Sequence, residues 1–278
     1  MYSFDSYIGI VRKIYYMLLV VMLACIGCEW RLRPSDEKAI AEQVRIERYD
    51  RIESLYLTTG DYSALQQMNT VYPMQTRTLI EDVLRIGRVN DPEINVKFLT
   101  FFQDSTLQDL IREVERQYAN VEDLNRDLAD AFKRLRRELP NIELPKVYSQ
   151  IGSLDQSIIV DNNLLGINLD KYLGAKYTTY QKFYSESQMR QMTRDMIVPD
   201  CMVFYIMSLY PLSVEGRQSK TLREVHIGKI QWIVNRILSR QVFKSEMVST
   251  IGRYMQKNPG TTIEQLLINN DYKTLTSA

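Results

Sequence analysis

The stretch "LPNIELPKVYSQIGSLDQSIIVDNNLLGINLDKYLG", Leu139 to Gly174, sets the fold class, because it interrupts a chain that otherwise reads as helix on both sides. Pro140 and Pro145 exclude helix there: proline has no backbone N–H to donate, and its ring clashes with the preceding turn. Inside the stretch lie three short β-type runs, Val147 to Ile151, Ser157 to Val160 and Leu164 to Ile167. Between the last two, Asp161-Asn162-Asn163 offers residues that tolerate the left-handed backbone of a tight hairpin. The expectation is a small central antiparallel β-sheet.

The flanks carry helical periodicity. In "NVEDLNRDLADAFKRLRREL", Val121, Leu124, Leu128, Ala131 or Phe132, and Leu135 recur at steps of three and four, with acidic residues early and basic ones late. Ser35 to Thr59 reads as one long helix stopped by Gly60. Ser63 with Gln66, Ser105 with Gln108, Ser185 with Gln188 and Thr261 with Glu264 each have the capping-box spacing. Further helices are expected from Gln75 to Ile86, from Asp91-Pro92, from Ser185 to Val198, from Thr221 to Ser239 and from Lys244 to Lys257, with a last short one ending near Asn270. "PDCMVFYIMSLYPL", from Pro199, is apolar on nearly every side and must be buried. Helices before and after a small sheet make an α+β class, mainly helical: residues 35–139 helical, a sheet within 145–170, and residues 185–270 helical, all in one domain over 35–278.

The N-terminus has a different logic. The run Ile14 to Gly27 follows Arg12-Lys13 and gives way to Glu29, Arg31 and Arg33, which is a signal-peptide profile. It is shorter than the roughly 20 apolar residues that a bilayer-spanning helix needs. Cys25 and Cys28 have redox or zinc spacing, yet no second ligand pair accompanies them, and Cys201 stands alone far downstream. Ile26-Gly27-Cys28 instead is similar to a bacterial lipobox. Cys28 is then the lipid-attachment residue of a mature chain whose residues 28–34 are a tether, with Cys25 as the alternative. More than one acyl chain, such as palmitate, gives a stable anchor at about 0.8 kcal/mol per buried methylene. Asp5 makes "MYSFDSYIGI" a poor start for such a signal, so translation is expected to begin later, near Val11.

Charge excludes one class of partner. The chain has 35 basic and 34 acidic residues, and removal of residues 1–27 takes Arg12, Lys13 and Asp5, leaving 33 of each. A balanced chain has no general attraction to phosphate backbones, so no nucleic-acid partner is expected. "KRLRREL", Lys133 to Leu139, reads as a solvated helix end.

No motif for catalysis is complete. His226, the single histidine, follows Glu224 in "LREVHIGKIQWIV", where a helical zinc peptidase needs two histidines one turn apart. A structural histidine is the simpler reading, and no metal or cofactor is expected. Asp155, Asp161 and Asp170 cluster around the sheet and supply the rival reading, an envelope hydrolase with a glycosidase-type acid and nucleophile. The tyrosine-rich run "KYLGAKYTTYQKFY" offers Tyr172, Tyr177, Tyr180 and Tyr184 as an interaction surface, since tyrosine gives amphipathic contact area at low entropy cost. Its alternative is a set of aromatics half-buried against the sheet.

Taken together, "IERYD", "IIVDNNLLGINLDKYLGAKYTTY", "IVPDCMVFYIMSLYP", "HIGKIQWIVN" and "MVSTIGRYMQKNPGTTIEQLL" make the chain resemble the GldB family of gliding-motility lipoproteins. The resemblance implies a cell-envelope lipoprotein linked to gliding motility and its associated secretion machinery; with no complete catalytic motif, the expectation is a chain lipid-anchored at the outer membrane that acts without catalysis as an assembly or interaction component beside envelope protein partners. It also implies a layout distantly similar to zincin peptidases without their metal motif. Longer members carry an extra loop and helix where this chain has only "RILSRQVFKSEM", so it is identified as a short-form member. A ligand-binding lipoprotein is the remaining alternative. Mass spectrometry of the N-terminal peptide from the membrane fraction is expected to find an acylated peptide beginning at Cys28; an unprocessed N-terminus would remove the lipoprotein reading.

Overall fold

Periodicity alone would run the first helix unbroken to Thr59, but the sheet claims part of it. The computed structural model describes residues 34–276, and the lipobox cysteines lie outside them. Helix α1 (Pro34–Gln43) ends before a short extended segment, and α2 (Tyr49–Thr59) begins after it. In between, Glu47 N donates to Val147 O at 2.9 Å and Glu47 O accepts from Ser149 N at 3.0 Å, so the segment lies alongside the first strand. Two sheet hydrogen bonds outweigh the helical propensity of five residues.

Helices α3 (Tyr62–Thr70), α4 (Pro73–Arg77, running into a π-helical turn Thr78–Val83), α5 (Ile94–Phe101), α6 (Ser105–Gln117) and α7 (Glu122–Glu138) come next. Two expected caps shift. Asp61 caps α3 by accepting from Ala64 N at 2.9 Å, and Asp104 caps α6 by accepting from Thr106 N at 2.8 Å. Aspartate takes both positions because its carboxylate also complements the helix dipole. Gln108 is thereby freed to donate to Phe102 O at 2.7 Å. Asp91 and Pro92 sit in a turn ahead of α5, where Asp91 pairs with Lys97.

The strands β1 (Lys146–Gln150), β2 (Ile158–Asp161) and β3 (Leu164–Asn168) fall where the apolar runs place them, but the sheet is mixed. Strands β2 and β3 form the antiparallel hairpin, turned by Asn162 (φ 40°) and Asn163 (φ 65°). The order is β1-β3-β2, with β3 central and β1 parallel to it. Strand β3 takes the centre because four of its five residues are buried and because Gly166 leaves room for a neighbour. The ring of Tyr148 on β1, its register partner, lies across Gly166. Gly166 supplies the space and Tyr148 fills it.

Beyond β3 the chain makes 3-10 turns at Leu169–Tyr172 and Thr178–Lys182, then α8 (Glu186–Met189). The capping box of Ser185 and Gln188 is present, but the helix stops after one turn; Thr193 is extended, and a 3-10 turn at Arg194–Met196 leads into α9 (Ile197–Leu209). Helix α9 is the central buried helix. It packs on β2 and β3 on one side and on α7 on another, where the rings of Phe132 and Tyr205 meet at 5.2 Å. The remaining helices are α10 (Val214–Gln218), α11 (Lys220–Leu238), α12 (Glu246–Lys257), α13 (Ile263–Ile268) and α14 (Tyr272–Thr276). The cap of α13 is Thr262 with Gln265, one residue beyond the expected pair.

Residues Ile40–Ala278 form one compact unit. Its C-terminal end is tied down by Lys229, a buried residue of α11. Its ammonium donates to Leu267 O at 3.1 Å and Asn269 O at 2.9 Å, and lies 5.2 Å from the Tyr272 ring centroid. Among the described residues no helix is long and apolar enough to cross a membrane. An alanine methyl at Gly166 would sit 2.6 Å from the Tyr148 ring. Gly166→Ala is therefore expected to lower stability by about 1–3 kcal/mol in urea unfolding, and Tyr148→Leu in the same background to recover part of that loss.

Candidate functional site

The residues with chemistry converge where β1 and β3 end and the tyrosine-rich strap begins. Asp170, in the turn after β3, is fully buried; its Oδ1 accepts from Gly152 N at 2.7 Å and its Oδ2 from Leu154 N at 2.6 Å. In that turn Ser153 (φ 51°) and the donor Leu154 itself (φ 69°) take the left-handed backbone, which non-glycine residues enter at a cost. The carboxylate holds that turn in place. Burial raises the Asp170 pKa even though both N–H groups favour the ionised form.

The three carboxylates weighed for hydrolysis thus have separate employments. Asp170 has no solvent access and no free oxygen. Asp155 is half-exposed, 4.0 Å from the Arg85 guanidinium, and Asp161 flanks the hairpin turn opposite Leu164. Among the described residues no group of three or more histidine, cysteine, aspartate or glutamate side chains is placed to hold a metal ion.

The tyrosines divide into two pairs. Tyr172 and Tyr180 are buried, which corrects their place on an interaction surface: their hydroxyls are needed inside. Tyr172 donates to Asp200 Oδ2 at 2.8 Å and receives Tyr118's hydroxyl at its carbonyl at 2.6 Å. Tyr180 accepts from Leu173 N at 2.9 Å and donates to Asp170 O. Tyr177 and Tyr184 are half-buried, packed edge-on to Tyr180 at 5.0 and 5.8 Å. Tyr184 donates to Leu154 O, and Lys171 donates to the Tyr184 hydroxyl at 2.9 Å. Beside them Phe183 is 61% exposed, and the backbone from Gly174 to Thr178 faces Glu113 across an open groove of about 550 Å³.

Three acidic residues escaped the sequence reading. Asp200 stands in the first turn of α9, and burial raises its pKa to about 6 against the hydrogen bond from Tyr172. Asp50 and Glu53 lie on the buried face of α2: Asp50 pairs with Arg48 at 2.7 Å and accepts from Ser149 Oγ at 2.5 Å, while Glu53 Oε2 accepts from Ile151 N at 2.9 Å. Burial raises Glu53 well above the usual carboxylate range. The available signal was position, since Asp50, Glu53, Ser54 and Leu57 are spaced as a core stripe and all are buried. His226 is buried on α11, and burial lowers its pKa.

The family model of gliding motility protein GldB matches residues 30–247. The chain belongs to the GldB family. No curated protein and no solved structure matches it. The GldB match takes in the sheet, the strap, α9 and α11, and ends at the start of α12. The Lys229 clamp crosses that end, because the acceptor carbonyls of Leu267 and Asn269 lie beyond it. Within the GldB-matched region Asp200 is the group whose titration reads out the site. Its folded pKa is raised, so the stability it contributes is present below its ordinary value of 3.8 and lost as pH rises through about 6. Asp200→Asn is expected to melt with a smaller decline across that window than the wild type, measured by thermal unfolding at each pH.

Proposed function

We infer that this GldB-family chain is a cell-envelope lipoprotein held at the outer membrane through lipid on Cys28, with Cys25 as the alternative. There it acts without catalysis as an assembly or interaction component of envelope and motility machinery. Family membership supports the motility link and the envelope setting. The observation that carries the non-enzymatic part is Asp170: both of its oxygens accept backbone N–H groups, and no face of it meets solvent. A general acid or nucleophile has to reach its substrate.

The strap supplies the docking face. Tyr180 and Asp170 fix it from inside, so Tyr177, Phe183 and Tyr184 are presented on a backbone that is already ordered, and preorganised aromatic residues lose little entropy on binding. Lys176 and Lys182 lie exposed on the same strap. Positive side chains beside exposed rings suit an envelope protein partner with acidic residues around an apolar anchor.

The hydrolase reading retains one observation in its favour, the partly exposed Asp200 with its pKa near 6. Genetic complementation separates the two: a scaffold keeps function in Asp200→Asn, whereas a hydrolase that uses this carboxyl loses it. A photo-crosslinking residue in place of Phe183 is expected to capture an envelope protein in whole cells. Phe183→Ala is expected to reduce co-purification of that protein about tenfold and, because the ring is mostly exposed, leave the melting temperature unchanged. Unchanged co-purification would remove the strap as the docking face.

A further inference from the structure

Three fully buried side chains at the exit of β1 carry polar atoms with no hydrogen-bond partner in the protein: Glu53 Oε1, both amide atoms of Gln150, and Asn168 Oδ1. Unpaired polar groups in a protein interior are strongly unfavourable, and each one needs an explanation. Here they come together. Gln150 and Asn168 are register partners on adjacent parallel strands, so their side chains stand on the same face of the sheet. Glu53 reaches the next residue, with its Oε2 on Ile151 N at 2.9 Å. The Asn168 carboxamide lies over the residue after that, since a Cβ built on Gly152 would come within 2.5 Å of it, and its Nδ2 donates to Gln156 O at 2.7 Å. The three side chains thus belong to, or touch, three consecutive residues, Gln150, Ile151 and Gly152.

The donor set narrows the ligand. Three of the four unpartnered atoms are oxygens, from one carboxylate and two carboxamides, which is the chemistry that hard cations take. The neighbouring carboxylates are engaged elsewhere: Asp50 by Arg48 and Ser149, Asp170 by Gly152 and Leu154. The charges of Asp50 and Asp170 both act against ionisation of Glu53. Burial and those two charges favour the neutral acid, so an ionised Glu53 flanked by neutral oxygens requires one positive charge beside it. A divalent ion would call for more carboxylates, and no such group exists among the described residues.

We propose that Glu53, Gln150 and Asn168 form a buried binding site for one monovalent cation, sodium or potassium, between α2 and the ends of β1 and β3. Bound there, the ion ties the N-terminal helices to the turn at Gly152–Leu154, the turn that Asp170 and Tyr184 hold from the other side. The site fastens the base of the strap.

Thermal unfolding of the full-length chain in detergent, at equal ionic strength in choline, sodium or potassium chloride, tests this. One alkali ion is expected to raise the melting temperature by about 2–4 °C over choline, saturably, and Glu53→Gln and Gln150→Leu are expected to lose that difference. Should either variant fail to fold, wild-type crystals soaked in a rubidium salt decide, by an anomalous peak in contact with Glu53 and Gln150. Equal melting temperatures in all three salts would overturn the site. So would a non-anomalous peak at that position, which marks internal water, or stabilisation by magnesium or calcium alone.

Discussion

Three buried carboxylates on one short piece of backbone hold this molecule together. Asp50, Glu53 and Asp170 reach Ser149, Ile151, Gly152 and Leu154, so almost every residue leaving β1 is gripped by an acid from another element. Removing a carboxylate from water costs several kcal/mol unless hydrogen bonds and counter-charges replace the hydration. What that cost secures is geometry. The chain must leave β1, cross to the far edge and return so that β3 can insert between the other two strands, and an unsupported loop of six or seven residues would have many ways to do so. Asp170 selects one of them by accepting two N–H groups across a left-handed pair of residues.

The same interaction sets the strap beyond it. Asp170 is one residue past Leu169, so fixing its side chain fixes the start of the 3-10 turn, and Tyr180 closes back on the carbonyl of the same residue. Tyr172 then carries the constraint to Asp200 and the first turn of α9. Sheet, strap and central helix are thereby one hydrogen-bonded unit. A surface built on this base is preorganised, and preorganisation lowers the entropic cost of binding.

How much residue order reveals depends on how local each signal is. The hairpin was legible because Asn162 and Asn163 act on their own backbone, and α7 was legible because Leu124, Leu128 and Leu135 mark one face unaided. The break between α1 and α2 was not, since its cause is a pairing between Glu47 and a strand about a hundred residues away. The parallel entry of β1 is hidden for the same reason: strand order depends on Gly166 accepting the Tyr148 ring, and neither residue says so alone. At the site, the tyrosines were visible as a composition, but whether a hydroxyl points in or out depends on what lies beneath it. Tyr172 and Tyr180 point in because Asp200, Leu173 and Asp170 offer them partners. Glu53 was hidden by its type, since a glutamate on a helix normally marks the wet face.

The C-terminal segment depends on a charge in another way. Lys229 is buried with two backbone carbonyls and an aromatic face as its partners, and burial lowers its pKa to about 8. Carbonyls at the end of α13 have no intrahelical donors, and a cation there satisfies them and complements the helix dipole. Lys229 belongs to the part of the chain that the GldB model matches, whereas its acceptors do not. The helix that packs on α9 in the family-matched region thus also fastens the residues beyond it, through Lys229 and through its packing against α12, α13 and α14.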